Sequence, residues 1–346
     1  MKMKTIALAV LTILSPAAPA YAADDPVTLY GRIFGSVQWV DATGSTRVDR
    51  RSRVEDESSL LGVRGKQALG GGLQSFFQLE TVFRIDSNNS TFAARNSGVG
   101  LEGAFGSVLL GRWDSPYKYA TYVADPWQLL TLAGDNNIVQ DNGNFGRRQQ
   151  NVVQYWTPTL GGFSARLAAT ANEGKTSTAN PRDVSALFGW AGGGHSLSVS
   201  WEKHYDQLGN TVTPSVDEEG LMGVGSVTFG KTKLGFIVER IEKTNRTKQK
   251  SYYVSVDHTF FGPNAVVATY GQSKDGALQA DAVQPDTKAY SVAYRYTFSK
   301  RTIWYTQYAK IDNNSAGTKN FPYYPVPGTG PGSDPRGFAV GMRHVF

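Results

Sequence analysis

The sequence predicts an all-β chain, a 16-stranded antiparallel transmembrane β-barrel with short turns at one end and long loops at the other. Three observations predict it. Apolar and polar residues alternate with period two along most of the chain. No stretch after residue 22 approaches the ~18 apolar residues of a membrane helix. Short and long connections between the alternating segments follow one another strictly.

Composition narrows the alternatives. Among 346 residues there are 38 glycines, 12% aromatics and 18% charged residues, which excludes a disordered tail protein or a charge-rich coiled coil. Cysteine is absent, so neither a disulfide framework nor a thiolate metal site is available.

The N-terminus reads as a secretory signal over residues 1–22, leaving a barrel domain over 23–346. Lys2 and Lys4 supply the positive start, Ile6 to Leu14 is apolar apart from Thr12, and Ala20-Tyr21-Ala22 gives the small-x-small cleavage site. Removing two lysines lowers the net charge from +6 to +4 (6 − 2), which gives no argument for nucleic-acid binding. The protein is expected to leave the cytoplasm.

Sixteen alternating segments follow, near 27–40, 57–68, 72–86, 94–104, 107–113, 149–157, 162–172 and 182–191, then 194–205, 219–229, 232–242, 249–260, 264–273, 287–298, 301–311 and 336–346. In the first, Leu29, Ile33, Val37 and Trp39 share one face while Thr28, Arg32, Ser36 and Gln38 share the other. In the third, Leu73, Phe77, Leu79 and Phe83 oppose Gln74, Gln78, Glu80 and Arg84. Seven short connections alternate with eight long ones, among them 41–56, 86–93 and 114–148.

A bilayer accounts for this pattern. In hydrocarbon every backbone N–H and C=O must be paired within the protein, and a closed antiparallel sheet does so without a free edge. An even strand number leaves both chain ends on one side, with the short turns there and the long loops opposite. Tyr30, Trp39, Tyr155, Trp156, Trp190, Tyr252, Trp304 and Phe346 stand near strand ends, as interfacial girdles require. A soluble β-sandwich alternates too, but gives no reason for the rhythm of the connections.

Several motifs resemble one family. Val27 to Gly31 (VTLYG), Leu61 to Gly65 (LGVRG), Leu69 to Leu73 (LGGGL) and Gly106 to Arg112 (G-x-x-x-L-G-R) resemble the general porins of Gram-negative outer membranes. Tyr155 to Pro158 (YWTP), Gly161 to Phe163 and the terminal Val340 to Phe346 (VGMRHVF) are similar to the betaproteobacterial branch of those 16-stranded porins. The resemblance spans the whole mature chain. It implies a homotrimer in the cell outer membrane, with periplasmic turns, extracellular loops and surrounding lipid and lipopolysaccharide. It also implies a C-terminal Phe346 read by the barrel-insertion machinery, and an inward-folded third loop, here 114–148, that narrows a water-filled channel.

Candidate site residues sit at that narrowing. The loop carries Asp114, Asp125 and Asp135, and Asp125-Pro126 has the form of a helix N-cap followed by its first residue. Strand parity directs Arg32, Arg64, Arg84, Arg166 and the acidic Glu80 inward. By resemblance, Arg95 and Arg148 match the eyelet arginines of anion-selective relatives. Parity agrees for Arg148, which shares a face with Gln154, and disagrees for Arg95 unless a loop intervenes. Leu60 stands where such relatives can carry a further arginine.

The expected function is passive diffusion of small hydrophilic solutes and ions with a mild preference for anions. A substrate-specific channel for anionic nutrients or sugars is the alternative, and a barrel-embedded hydrolase a remote one. An enzyme is not expected, nor a cofactor or metal. Gly225 to Thr232 spells the phosphate-loop pattern G-x-x-x-x-G-K-T, but its residues continue an alternating strand into a hairpin rather than opening a helix. The four histidines, His195, His204, His258 and His344, lack metal-ligand spacing.

Overall fold

The computed structural model describes residues 27–128, 130–135, 138–140, 145–207, 216–243, 248–275, 285–321 and 323–346. The expected signal segment 1–22 lies outside them.

Among the described residues, seventeen strands and one short helix are formed. The first part of the wall comprises β1 (Thr28–Gly44), β2 (Val48–Asp56), β3 (Leu60–Gly70), β4 (Leu73–Val82), β5 (Ser97–Gly103) and β6 (Gly106–Asp114). After helix α1 (Pro116–Thr121) come β7 (Arg148–Trp156), β8 (Phe163–Thr170), β9 (Arg182–Gly192), β10 (His195–Gln207) and β11 (Val216–Phe229). The last part comprises β12 (Thr232–Lys243), β13 (Lys248–Phe261), β14 (Asn264–Asp275), β15 (Asp286–Ser299), β16 (Thr302–Asn313) and β17 (Ser333–Val345).

All seventeen belong to one antiparallel sheet, and β1 pairs with β17 from Arg32↔Val345 to Gly44↔Ser333, which closes it into a barrel. The chain end completes the seam. Gly31 N–H donates to Phe346 O at 3.1 Å and Phe346 N–H donates to Gly31 O at 3.0 Å. A side chain at Gly31 would collide with the Phe346 ring and with Leu60 O, both at 2.6 Å, so close packing demands glycine there.

The barrel has sixteen wall positions, because β2 and β3 share the second one. β2 pairs with the upper half of β1 (Gly35↔Asp56) and β3 with the lower half (Thr28↔Arg64, Arg32↔Leu60). The expected strand at 57–68 is therefore corrected. Its true start lies at Val48, and it is interrupted at Glu57-Ser58-Ser59, where Ser58 has φ of 70°. Side chains stabilise the break. Ser59 Oγ accepts from Phe34 N–H at 2.9 Å, while the buried Glu57 accepts from Ser36 Oγ and Gln38 Nε2, each at 2.7 Å.

Inward and outward faces follow the predicted alternation. On β13 the even residues through Val256 are exposed and Gln249, Ser251, Tyr253 and Ser255 are buried. Leu29, Val99, Phe188, Leu197 and Val292 are each more than half exposed on the outside, as a lipid-facing surface requires. Two expected girdle residues face inward instead: Tyr30 donates to Glu80 Oε1 at 2.9 Å, and the Trp156 indole donates to Gln154 Oε1 at 3.0 Å.

The third loop folds into the lumen and packs on the inner wall. Four inward glycines make room for it. A Cβ on Gly220 would meet the Phe145 ring at 2.8 Å, on Gly235 the Ala124 carbonyl at 2.2 Å, on Gly271 the Ile138 side chain at 3.0 Å and on Gly337 the Leu132 side chain at 2.8 Å. The loop's apolar residues, including Tyr117, Leu132, Ile138 and Phe145, are almost wholly buried. They form one cluster with Val40, Met222, Ile237, Ile241 and Tyr305 of the wall. The expected helix start at Asp125-Pro126 is not formed. The helix begins one segment earlier, with Ser115 Oγ accepting from Lys118 N–H at 3.2 Å and Pro116 as its first residue.

Candidate pore constriction

A cavity of about 560 Å³ lies between the loop and the opposite wall. Six cations line it: Arg32, Arg95, Arg112, Lys118, Arg147 and Arg148. The carboxylates within ion-pair reach of these six are Glu80, Asp114 and Asp183, among the described residues, so the cations hold an excess of three (6 − 3).

Each side chain is placed by local structure. The break at 57–59 turns the Ser58 carbonyl and hydroxyl toward the lumen. Arg32 Nε donates to Ser58 O at 2.9 Å, and Arg95 Nη1 donates to Ser58 Oγ at 2.9 Å. The segment before β5 carries Arg95, whose backbone N–H donates to Glu80 O at 3.1 Å and whose guanidinium stands 3.7 Å from the Glu80 carboxylate. The expected strand at 94–104 begins only at Ser97, which is why parity misjudged Arg95.

Asp114 anchors the other side. Its Oδ1 is 3.0 Å from Arg148 Nη2 and 3.2 Å from Lys118 Nζ, and its Oδ2 accepts from Asn96 Nδ2 at 3.0 Å and Tyr122 Oη at 3.1 Å. Burial, and then the Asp114 charge beside it, push the Tyr122 hydroxyl well above the usual phenol range, which keeps it a hydrogen-bond donor. Asn96 Oδ1 in turn accepts from Arg148 Nε at 2.8 Å. Arg147 is paired with Asp183 at 2.8 Å. Arg32 and Arg112 have no ion-pair partner among the described residues.

Of the residues read from the sequence, Arg32, Arg95, Arg148, Glu80 and Asp114 line this one cavity. The others stand elsewhere. Arg64 lies over the Tyr30 ring at 4.8 Å and lines a separate cavity with Trp113 and Trp156. Arg84, beyond the end of β4, is hydrogen-bonded to the Tyr324 hydroxyl and lies 5.3 Å from its ring. Arg166 is stacked against Tyr119 (3.4 Å) and Trp156 (4.4 Å). Asp125 and Asp135 are buried and fasten the loop. Asp125 Oδ1 accepts from Trp127 N–H at 2.9 Å and Tyr253 Oη at 3.2 Å, and Asp125 Oδ2 accepts from Asp135 N–H at 3.3 Å. The sequence reading missed Arg112, Lys118, Arg147, Asn96, Tyr122 and Ser58. The dibasic Arg147-Arg148 at the loop's end was the available signal. A bulge opposite Arg112, between Gly111 and Trp113, defeats parity there.

The loop is tied to the far wall through hydrogen bonds. Tyr117 N–H donates to Ser185 Oγ at 3.1 Å and Tyr117 Oη to Glu239 Oε1 at 2.8 Å. Ser255 Oγ donates to Ala124 O at 2.6 Å, and Gly146 N–H to Glu202 Oε1 at 3.1 Å. These ties fasten the loop to the inner wall at several points along its length.

The family model described as Gram-negative porin matches residues 7–316. The chain belongs to this family. Outer membrane porin protein 32 of Delftia acidovorans is 30% identical over the full length of both chains. A major outer membrane protein P.IB of Neisseria meningitidis serogroup B is 25% identical over 84% of this chain and 89% of that one. Among solved structures, the anion-selective porin from Comamonas acidovorans superposes with a TM-score of 0.78 at 24% identity, over 93% of this chain and all of that one. This porin is thus an outer-membrane β-barrel that provides a passive channel, and its relatives are channels rather than enzymes. The betaproteobacterial resemblance of its motifs agrees with the Delftia relative.

Proposed function

We propose that the porin passes small hydrophilic solutes with a preference for anions, selected at the cavity between the third loop and the wall. The observation that carries this reading is the excess of three positive charges around that cavity. Screening at physiological salt acts over about 8 Å, so charges lining a narrowing dominate over those at the mouths. The surplus of cations held at fixed positions around the cavity, beyond those paired with Asp114 and Glu80, favours one ion sign without holding an ion tightly. Conduction needs easy exit as well as entry.

Homotrimeric assembly, cleavage after Ala22, insertion signalled by Phe346 and the constriction role of 114–148 belong to the same reading. The outward apolar faces support contact with neighbours or lipid. Single-channel recording across a salt gradient tests the selectivity. An anion-favouring reversal potential is expected, moving toward zero in Arg148→Ala. A cation-favouring potential in the wild type would overturn it.

A further inference from the structure

Past the constriction, toward the short turns, the inner wall carries aromatic rings that a water-filled passage does not need. A cavity of about 610 Å³ has Arg64, Phe76, Trp113 and Trp156 in its lining. That size suits a small molecule, since ligand cavities commonly measure ~300–1,000 Å³. The cavity adjoins the constriction directly. Trp113 stands between Arg112 and Asp114 in the chain, and Tyr30 donates to Glu80 on one side while its ring carries the Arg64 guanidinium on the other. A solute that has passed the constriction meets these groups next.

Backbone register places each of them on the inner face. Arg64 is opposite Thr28 on β1 and Gln78 on β4, and Phe76 is opposite Lys66 and Gly100. A Cβ on Gly100 would stand 2.5 Å from the Phe76 ring, so glycine lets that ring lie against the wall. Trp156 is opposite Arg166 on β8, whose guanidinium lies 4.4 Å from its ring. Trp113 follows the register shift after Gly111, and its indole stands 5.8 Å from that of Trp156 at an angle of 60°. The two indoles make an edge-to-face corner, and both are only half-buried.

The charges around this corner favour an anion. Lys66 is paired with Glu102, so that carboxylate is already neutralised. Arg64 is exposed and lies 4.8 Å from the Tyr30 ring, with no ion-pair partner or hydrogen-bond acceptor among the described residues. The Trp113 indole N–H likewise has no acceptor among them. A structural role accounts for Trp156, which holds Gln154 and Arg166, but leaves the donors of Arg64 and Trp113 unused. A guanidinium gives two parallel N–H bonds to a carboxylate, and an indole face favours a second flat ring by stacking.

We propose that Arg64, Trp113 and Trp156 form a weak binding subsite for small aromatic carboxylates, with the carboxylate on Arg64 and the ring on the indole corner. The subsite deepens the channel reading and rests on it, but it distinguishes anions of equal charge by their rings. Binding stays weak because conduction needs easy exit.

Full-length protein in planar bilayers carries chloride current while benzoate, cyclohexanecarboxylate or benzamide is titrated on both sides, and the concentration that halves the current is read. Cyclohexanecarboxylate shares the charge of benzoate without its flat ring, and benzamide the ring without the charge. Benzoate is expected to halve the current at a lower concentration than either. Trp113→Leu raises the benzoate value by roughly three- to tenfold, as loss of one aromatic contact predicts, and brings it level with cyclohexanecarboxylate. Arg64→Gln brings benzoate level with benzamide, and serves where Trp113→Leu folds poorly because the Arg64 side chain is exposed to the lumen. Arg84→Gln, beside Tyr324 at the long-loop end, leaves the ratio of benzoate to cyclohexanecarboxylate unchanged. Equal block by benzoate and cyclohexanecarboxylate in the wild type, equal block by benzamide, or wild-type ratios in both the Trp113 and Arg64 variants would each overturn the subsite. A cation-favouring reversal potential in the same membranes would overturn the selectivity of the constriction and leave these ratios standing, so the two readings fail separately.

Discussion

Arg95 donates to the hydroxyl of Ser58 across 2.9 Å although 37 positions separate them in the chain. The contact joins the break in the second wall position to the segment that precedes β5. Two interruptions of regular strand thus cooperate to hold one cation in the channel.

Reversing that cation has the largest expected effect on selectivity. Arg95→Glu replaces a positive charge by a negative one beside Glu80, well within the ~8 Å screening length. The reversal potential is expected to shift several-fold further toward cations than in Arg64→Glu, whose side chain lies against Tyr30 in another cavity. Bi-ionic recordings on both variants check the order.

Asp114 is a structural counter-ion as well as a lining group. Asp114→Asn leaves Lys118 and Arg148, each only 13% exposed at the side chain, without their carboxylate. Removing one partner of a buried ion pair costs about 3–5 kcal/mol. The variant is expected to be more anion-selective and less heat-stable. Conductance together with the temperature of the folded-to-unfolded shift on gels measures both.

The loop's seating depends on wall glycines. At Gly235 a Cβ would stand 2.2 Å from the Ala124 carbonyl, and backbone cannot yield as a flexible side chain can. Gly235→Val is expected to form a barrel of normal stability to protease whose single-channel conductance differs from wild type and fluctuates more. Unchanged, quiet conductance would show that the loop is seated without this contact.

Closure at the seam predicts an assembly phenotype. Deleting Phe346 removes two backbone hydrogen bonds to Gly31 and the ring that covers it. The yield of folded barrel in refolding into detergent is expected to fall, with the surviving fraction conducting normally.

Alkaline stability follows from the buried phenols of the loop. Burial and the adjacent carboxylates, Glu239 beside Tyr117 and Asp114 beside Tyr122, raise both hydroxyls well above their usual range. For such groups the contribution to stability is complete below the unfolded value of about 10 and is lost as pH rises toward the folded one. Tyr122→Phe is expected to lessen the loss of stability above pH ~10, as followed by tyrosine absorbance during alkaline titration.

The period-two pattern made the strands legible because lipid and water impose opposite demands on successive residues. Residues that depart from the pattern were the ones misread. Glu55 to Ser59 are all polar and carry no alternation, and the buried partners Ser36, Gln38 and Phe34 explain why the strand breaks there. Ser115-Pro116 and Asp125-Pro126 are equally good helix starts locally. Space beside Gly220 for Tyr117, and a Tyr253 hydroxyl for Asp125, settle the choice in the folded molecule. Arg112 escaped notice because it stands beside the register shift between β6 and β7, where Gly111 faces Val152 and Trp113 faces Gln149, which the sequence does not reveal. Arg148 was legible from its face, but its link to Asn96 needed the fold.

The glycine-lined seat of the third loop divides labour along the polypeptide. Every cavity-lining cation lies between Arg32 and Arg148, whereas Ser185, Glu202, Glu239 and Ser255, which moor the loop, come later in the chain. Substitutions that retune ion preference can accumulate in the first half while the second half stays unaltered as a buttress. A hybrid joining the first 150 residues of one relative to the remainder of another is therefore expected to inherit its permeation behaviour from the donor of the first part.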